Sequence, residues 1–354
     1  MNTILAKDIQ VIVTTYNRPV QILGFAQSLR THFPNHGAII IIDSSTSIND
    51  DLASQHELHY LKTSHQNQPY QRYLGYKKAT SKWLLFFDDD MEIIDEQFVE
   101  KIISKLTSSN FVGLGLYFED KHDQTFLKSM ESSVFKSKNE KPGFLTKTFR
   151  AFTGYPILES GKVGWNGLRG KQPLDFNSTE WFSGGAFLAK KEFLYQNFNF
   201  SLFDLYEKRL GKGEDLIISY TLSKQGMVKF YPEKMLLHND QQNSVYTNNH
   251  FQLAQRVLFS RLFLSYEFAR LNKFSFNKTR FLYFRYSFFR TLSVFFNYLI
   301  KRNDKQKELL KGNFAALKMA FYFKYVIETN TESYWPLEAE KELKIKLLQE
   351  NNAQ

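Results

Sequence analysis

An uninterrupted apolar run ends directly in three aspartates near residue 88, and this junction limits how the chain can fold. Residues 83–87 contain no polar side chain, which is typical of a strand buried on both faces of a sheet. The adjacent carboxylates of Asp88, Asp89 and Asp90 repel one another, and burying them costs desolvation free energy. A cation among them would offset both costs. The junction predicts Mg²⁺ or Mn²⁺ bound by Asp88 and Asp90 at the carboxyl end of a central strand, where open α/β sheets bind ligands.

Length and composition are those of a globular protein with either one large domain or a domain plus an extension. The 354 residues are 43% apolar and contain no cysteine, which excludes disulfides and thiolate metal sites. The first ten residues lack the apolar run of a signal peptide, and no uncharged apolar run approaches the ~20 residues that cross a bilayer. We therefore expect a cytoplasmic protein, either soluble or peripheral on the inner face of the plasma membrane.

Strands and helices are predicted to alternate over the first third of the chain. Apolar runs predict strands at residues 9–13, 38–42 and 82–87, and apolar residues at helical spacing predict a helix over 94–106. This alternation favours an α/β class with a parallel sheet.

Positive charge is concentrated in one aromatic segment. Residues 251–303 contain ten Lys or Arg, sixteen Phe or Tyr and a single acid, Glu267, so they carry nearly all of the formal net charge of +10. One interpretation is a set of amphipathic helices lying on an anionic membrane surface. The alternative is a helical bundle whose aromatic residues pack on the α/β domain or form an oligomer with a second subunit. No nucleic acid is expected as a partner.

Six motifs, in this order, resemble those of the family 2 glycosyltransferases over about residues 8–240. The motifs are Val13-Thr14-Thr15-Tyr16-Asn17-Arg18, Ile42-Asp43-Ser44-Ser45-Thr46, Gln71-Arg72-Tyr73-Leu74-Gly75, Asp88-Asp89-Asp90, Gly184-Gly185-Ala186 and Gly213-Glu214-Asp215. The C-terminal part resembles, more loosely, bacterial enzymes that build rhamnose-containing and other surface polysaccharides.

The resemblance implies a GT-A nucleotide-diphospho-sugar transferase fold, a mostly parallel Rossmann-like sheet flanked by helices. The implied catalytic domain spans about residues 1–245, and a C-terminal α-helical extension spans about 246–354. The implied reaction is inverting transfer of a hexosyl or deoxyhexosyl group from a nucleotide-diphosphate sugar to a hydroxyl of a saccharide or lipid-linked acceptor.

The resemblance also implies catalytic roles for the acidic motifs. The metal ion would lie mainly on Asp90, with Asp88 or Asp89 near the ribose and the donor sugar. Asp215 would be the general base, although an ordinary Asp, with a pKa near ~3.9, needs burial or crowding for that role. The alternative is that Glu214 and Asp215 simply favour the positive N-terminus of a helix.

The nucleotide-binding residues implied by the resemblance come from the first half of the chain. Thr14, Tyr16 and Arg18 belong to the first loop, where Tyr16 would stack on the base. Asp43 would accept a hydrogen bond from a pyrimidine ring, and Arg72 would reach the base or the phosphates. A surface or turn role is the alternative for each.

The remaining implied contacts come from the second half. His238 would be a third metal ligand or a diphosphate contact. The acceptor site would comprise Trp181, Gly184, Gly185 and Glu214. A hydrogen-bonded histidine and a core tryptophan are the structural alternatives.

Two other functions fit parts of the sequence. A phosphatase of the haloacid-dehalogenase type also uses Asp-x-Asp after an apolar strand, but it needs a catalytic aspartate near the first strand, which here ends in Thr14-Thr15-Tyr16-Asn17. A non-catalytic module that binds a sugar nucleotide or a polysaccharide is the second alternative.

Overall fold

The chain forms two compact units, each with its own core. The sheet unit combines residues 1–119, 172–238 and 326–354, and the helical unit combines 120–171 and 239–325. The computed structural model describes residues 6–33, 39–54, 58–120, 148, 150, 152–173, 175–239 and 249–329. Residue 38 of the predicted second strand and residues 246–248 and 330–354 of the predicted extension lie outside these ranges.

One mixed sheet forms the centre of the sheet unit. Its strands are β1 (Ile9–Thr15), β2 (Ile39–Asp43), β3 (Leu58–Lys62), β4 (Trp83–Asp88), β5 (Met91–Ile93), β6 (Gly113–Asp120), β7 (Ala186–Lys190) and β8 (Val228–His238). They are ordered β3-β2-β1-β4-β7-β6-β8-β5. The first four pair in parallel, while β4–β7, β6–β7 and β5–β8 are antiparallel. The carboxyl ends of β1 and β4 therefore meet at one edge of the sheet.

Helices cover the sheet because the parallel strands are apolar on both faces. Those of the sheet unit are α1 (Pro19–His32), α2 (Asp50–Ala53), α3 (Gln68–Lys78), α4 (Phe98–Ser108), α5 (Ser201–Glu207) and α6 (Glu214–Gln225). Every residue of β1 and β2 is buried, including the polar Gln10 of β1 and Asp43 of β2. The predicted helix 94–106 instead begins at Phe98, because Ile93 pairs with Leu236 in the sheet and the amide of Ile94 donates to the carbonyl of Met235.

Three long helices form most of the helical unit: α7 (His250–Leu271), α8 (Phe276–Lys301) and α9 (Asp304–Tyr322). Asn249, Ser275 and Asn303 cap them, each accepting a hydrogen bond from the amide three residues later. Among the described helices, none combines the length and the apolarity of a membrane-spanning segment. The predicted α/β sheet with C-terminal helices is confirmed.

Candidate active site

A single guanidinium joins three distant segments at the carboxyl edge of the sheet. Arg72 lies on α3 and is 1% exposed. Its Nη1 donates to Oε2 of Glu214 at 2.6 Å, and its Nη2 donates to Oδ1 of Asp88 and to the carbonyl of Gly184, both at 2.7 Å. Desolvation acts to lower the pKa of Arg72, but the charges of Glu214 and Asp88 raise it above its ordinary value. The end of β4, the loop before β7 and the start of α6 are thus connected through one permanent charge.

The aspartate triplet is bound by other cations of the protein. Arg18 Nη1 donates to Asp89 at 2.9 Å and to Asp90 at 2.7 Å, and Thr15 donates to the second oxygen of Asp89 at 2.6 Å. His238 Nε2 lies 3.2 Å from Oδ1 of Asp90. Arg18, and Arg72 on Asp88, therefore already reduce the repulsion among the carboxylates, and a metal ion at this position stays a prediction.

The three aspartates do not share one electrostatic environment. Burial raises the pKa of Asp89 to about 6 against the opposing effects of Arg18 and Thr15. Burial also opposes ionisation of Asp90, but His238 and Arg18 outweigh it and lower the pKa of Asp90 to about 2. A carboxylate must be ionised to bind a metal, so Asp90 is the member of the triplet best prepared for that role.

The site has a donor set that suits Mg²⁺ or Mn²⁺. The carboxylate cluster comprises Asp88, Asp89, Asp90, Glu214 and Asp215, and the guanidinium groups of Arg18 and Arg72 oppose its charge. Oδ1 of Asp90 is buried and lies 3.2 Å from Nε2 of His238. Carboxylate oxygens with one imidazole fit these ions.

The protein ligands alone do not complete a metal site. Among the described residues, no three His, Cys, Asp or Glu side chains are gathered as a ready-made metal cluster. Mg²⁺ commonly uses one or two carboxylates and takes its remaining ligands from water and phosphate oxygens. Asp90 and His238 therefore fit a metal that a diphosphate would complete.

Asp215 lies next to this cluster, in the first turn of α6. It is half-buried, and its charge acts on both Arg72 and Glu214. A Cβ atom added to Gly184 would lie 3.3 Å from the Cβ of Asp215, so this aspartate adjoins the loop that binds Arg72. The two acidic motifs predicted to cooperate are thus brought together.

The predicted nucleotide contacts lie at the ends of β1 and β2. Asp43 is 2% exposed and accepts hydrogen bonds from Tyr60 at 2.5 Å and from the amide of Ser45 at 2.7 Å. The hydroxyl of Thr14 is buried without a hydrogen-bond partner among the described residues, and Tyr16 is half-buried. Asp43 already has protein partners, so its contact with a base stays a prediction.

The predicted acceptor residues differ in their surroundings. The carbonyl of Gly185 accepts from the amide of Asp88 at 3.0 Å, so the Gly184-Gly185 pair adjoins the cluster. Trp181 is 6% exposed and lies in the core, and Glu214 is 3% exposed and bound to Arg72. Acceptor contacts of these residues stay predictions.

Two glutamines of α3 also bind the carboxyl ends of the strands, although no such role was predicted for them from the sequence. Gln68 donates to Oδ1 of Asp88 at 2.7 Å, and Gln71 donates to the carbonyls of Thr15 at 2.9 Å and Ile42 at 2.8 Å. Gln68, Gln71 and Arg72 are spaced i, i+3, i+4, which places them on one side of the helix. This polar row at the start of a largely buried helix was the available signal.

The glycosyl transferase family 2 model matches residues 10–160 of the chain. The matched segment contains Thr14, Arg72 and the aspartate triplet, and it ends before Asp215 and His238. Over this segment the chain is similar to the family 2 glycosyl transferases, which confirms the resemblance predicted from the motifs.

Several solved structures are similar to the chain at low identity. TarS from S. aureus, residues 1–349, is 12% identical over 98% of this chain and 92% of that one, with a TM-score of 0.45. The same TarS segment with UDP-GlcNAc is 11% identical over 88% and 81%, with a TM-score of 0.42. The mannosyltransferase PcManGT from Pyrobaculum calidifontis, with GDP-Man and Mn²⁺, is 14% identical over 90% and 76%, with a TM-score of 0.42. No curated protein matches the chain significantly, so the family assignment rests on residues 10–160.

Proposed function

We propose that this protein is a metal-dependent inverting glycosyltransferase of bacterial polysaccharide synthesis. Its substrates are a nucleotide-diphosphate sugar carrying a hexose or deoxyhexose and a hydroxyl of a saccharide or lipid-linked acceptor. The observation that carries the proposal is the bridge from Asp88 through Arg72 to Glu214, beside Asp215. This bridge supports the proposal because it joins the acidic end of β4 to the residue that precedes the candidate base.

Asp90 and His238, with Asp88, are the residues that would hold Mg²⁺ or Mn²⁺. When bound, the ion supplies positive charge that stabilises the diphosphate leaving group. Arg18 and Thr15 orient the triplet through Asp89, and Gln68 and Arg72 fix Asp88.

Asp215 accepts the proton of the attacking hydroxyl in the proposed reaction. The acceptor oxygen forms a bond to the anomeric carbon while the bond from that carbon to the diphosphate oxygen breaks, and the electron pair leaves with the diphosphate. One displacement from the opposite face inverts the anomeric configuration. Removal of the proton by a positioned carboxylate typically contributes about 10²–10⁴ in rate.

A turnover screen of the full chain tests the proposal. Uridine, guanosine and thymidine diphosphate sugars are incubated with saccharide acceptors and Mn²⁺, and released nucleoside diphosphate and glycosylated product are measured by mass spectrometry. We expect a product of inverted configuration, loss of turnover with a chelator and recovery with added Mn²⁺.

The other outcomes of the same screen contradict the proposal. Inorganic phosphate without a glycosylated product would indicate a phosphatase. Saturable binding of a sugar nucleotide with no turnover for any acceptor would indicate a non-catalytic module.

A further inference from the structure

Helix α8 of the helical unit exposes a row of large apolar side chains. Its buried residues are Thr279, Tyr283, Tyr286, Ser287 and Thr291, all of which carry a hydroxyl group. Its outward residues include a set of large apolar side chains that we call the Phe face: Phe281, Phe288, Phe295, Phe296 and Leu299. A helix surrounded by water normally buries its apolar side and exposes its polar side. The outward side of α8 therefore has the composition expected against an apolar medium.

The exposed rings form one row rather than scattered contacts. Phe281, Phe288 and Phe295 are spaced by seven residues, which keeps them on one side of a helix about 39 Å long. Phe281 is 67% exposed and Phe288 is 58% exposed. Single exposed apolar residues are ordinary on protein surfaces, but a continuous row marks an interaction site.

Helix α9 adds an aromatic side chain to the same region. Its Phe321 is 62% exposed and stacks on Phe284 of α8, with ring centroids 4.7 Å apart. Arg280 of α8 donates to the carbonyl of Phe321 at 3.0 Å and so holds the end of α9 against α8. The exposed aromatic surface therefore extends over two packed helices.

The charge of α8 indicates what the Phe face binds. The helix contains the basic residues Lys278, Arg280, Arg285, Arg290 and Lys301 and no acidic residue. Within the described ranges, none of the five is ion-paired with a carboxylate. Lys278 and Lys301 are exposed near opposite ends of the row of rings. Whatever binds the Phe face must therefore accept apolar rings and also supply negative charge.

We propose that the Phe face of α8 lies in the interface of a bilayer that contains anionic lipid. Phenylalanine rings enter the boundary between headgroups and acyl chains, and each Lys or Arg near the surface contributes about 1 kcal/mol of attraction to anionic lipid. A second copy docked through the same face would bring exposed basic side chains such as Lys278 of the two copies close to each other, which disfavours self-association there. Lipid binding by this face does not depend on the sugar transfer proposed for the sheet unit.

Vesicle co-sedimentation of the full chain tests the role of the rings. The vesicles are phosphatidylcholine alone or phosphatidylcholine with one quarter phosphatidylglycerol, without donor or acceptor. We expect binding to the anionic vesicles and at least about tenfold weaker binding to the neutral ones. The double variant Phe281→Ser/Phe288→Ser should bind anionic vesicles about 100-fold more weakly. The matched control Ile48→Ser/Met227→Ser removes two exposed apolar residues of the sheet unit and should bind like the wild type.

A second double variant, in which two exposed lysines of α8 become glutamates, tests the role of the positive charge independently of the rings. Lys278→Glu/Lys301→Glu should weaken binding to anionic vesicles by at least about tenfold and reduce its salt dependence. Both double variants change exposed side chains, so their thermal unfolding should match the wild type. Equal binding of the wild type to neutral and anionic vesicles would overturn the anionic assignment. A dimer in light scattering that the Phe variant dissociates, with no vesicle binding by the wild type, would show instead that the face joins two copies.

Discussion

Arg72 and Glu214 form an ion pair in the sheet unit, with Nη1 2.6 Å from Oε2 and both side chains almost fully buried. The pair joins α3 to the first turn of α6. The second terminal nitrogen of the guanidinium binds Asp88 at the end of β4. Because Asp215 follows Glu214 directly, Arg72 also determines where the proposed base lies relative to the aspartate triplet.

Removal of Glu214 should destabilise the fold strongly. Glu214→Ala leaves one side of a buried guanidinium without its partner, and breaking a buried pair in this way costs about 3–5 kcal/mol. Urea unfolding of the wild type and the variant measures the difference.

An exposed ion pair serves as the control. Glu308 pairs with Lys311 at 2.9 Å on the surface of α9, and Glu308→Ala should change the free energy of unfolding by less than about 0.5 kcal/mol. Equal effects of the two substitutions would show that the buried pair does not hold α3 and α6 together.

Replacement of the proposed base should reduce turnover without unfolding the protein. Asp215→Asn keeps the size of the side chain but removes its ability to take a proton, so kcat should fall by about 10²–10⁴. Asp304→Asn is the control, since Asp304 also lies in the first turn of a helix but in the helical unit. Turnover within about twofold of the wild type in Asp215→Asn would place the base elsewhere.

The strands were predictable because a strand that is buried on both faces of a sheet requires an uninterrupted run of apolar residues. The run that forms β4 and the one that forms β2 are apolar without interruption, and both are buried as expected. The strand at residues 91–93 was not predicted. Three residues are too few to show the alternation of a strand, and the apolar spacing that begins at residue 94 is that of a helix. These three residues form a strand because they pair with residues of β8, which lie more than 140 positions later in the chain.

The residues of the site were predictable from the sequence, but the hydrogen bonds and ion pairs between them were not. The triplet, Arg72 and Asp215 were all identified from motifs. The sequence could not show that Arg72 binds Glu214, 142 positions away, or that the same guanidinium also binds Asp88. Which charges neutralise one another depends on tertiary contacts, and these have no local sequence signal.

Metal binding should depend on Asp90 and be measurable without turnover. A ligand that binds only the folded state at 100 times its Kd stabilises it by about 2.7 kcal/mol, so Mn²⁺ with UDP or GDP should raise the Tm of the wild type. Asp90→Asn removes the carboxylate with the lowest pKa of the triplet and should abolish this increase. Asp95→Asn is the control, because Asp95 pairs instead with Lys101 at 2.8 Å. An unchanged Mn²⁺ effect in Asp90→Asn would contradict the assignment.

The loop before β7 should tolerate no added side chain at Gly184. A Cβ atom there would lie 3.2 Å from Nη1 of Arg72 and 3.3 Å from the Cβ of Asp215. Arg72 cannot move away easily, because Glu214 and Asp88 hold it from two sides. Gly184→Ala should therefore displace Arg72 or Asp215 and lower kcat by more than about tenfold, which corresponds to 1.4 kcal/mol of lost transition-state stabilisation.

The same substitution at Gly24 is the matched control. Gly24 lies inside α1, and an added Cβ would meet no atom within 4 Å. Gly24→Ala should leave kcat unchanged and stabilise the fold by about 0.5–1 kcal/mol, since alanine favours a helix interior over glycine. If Gly184→Ala behaved in the same way in kinetics and in urea unfolding, the close contact of this loop with Arg72 and Asp215 would have no part in the activity.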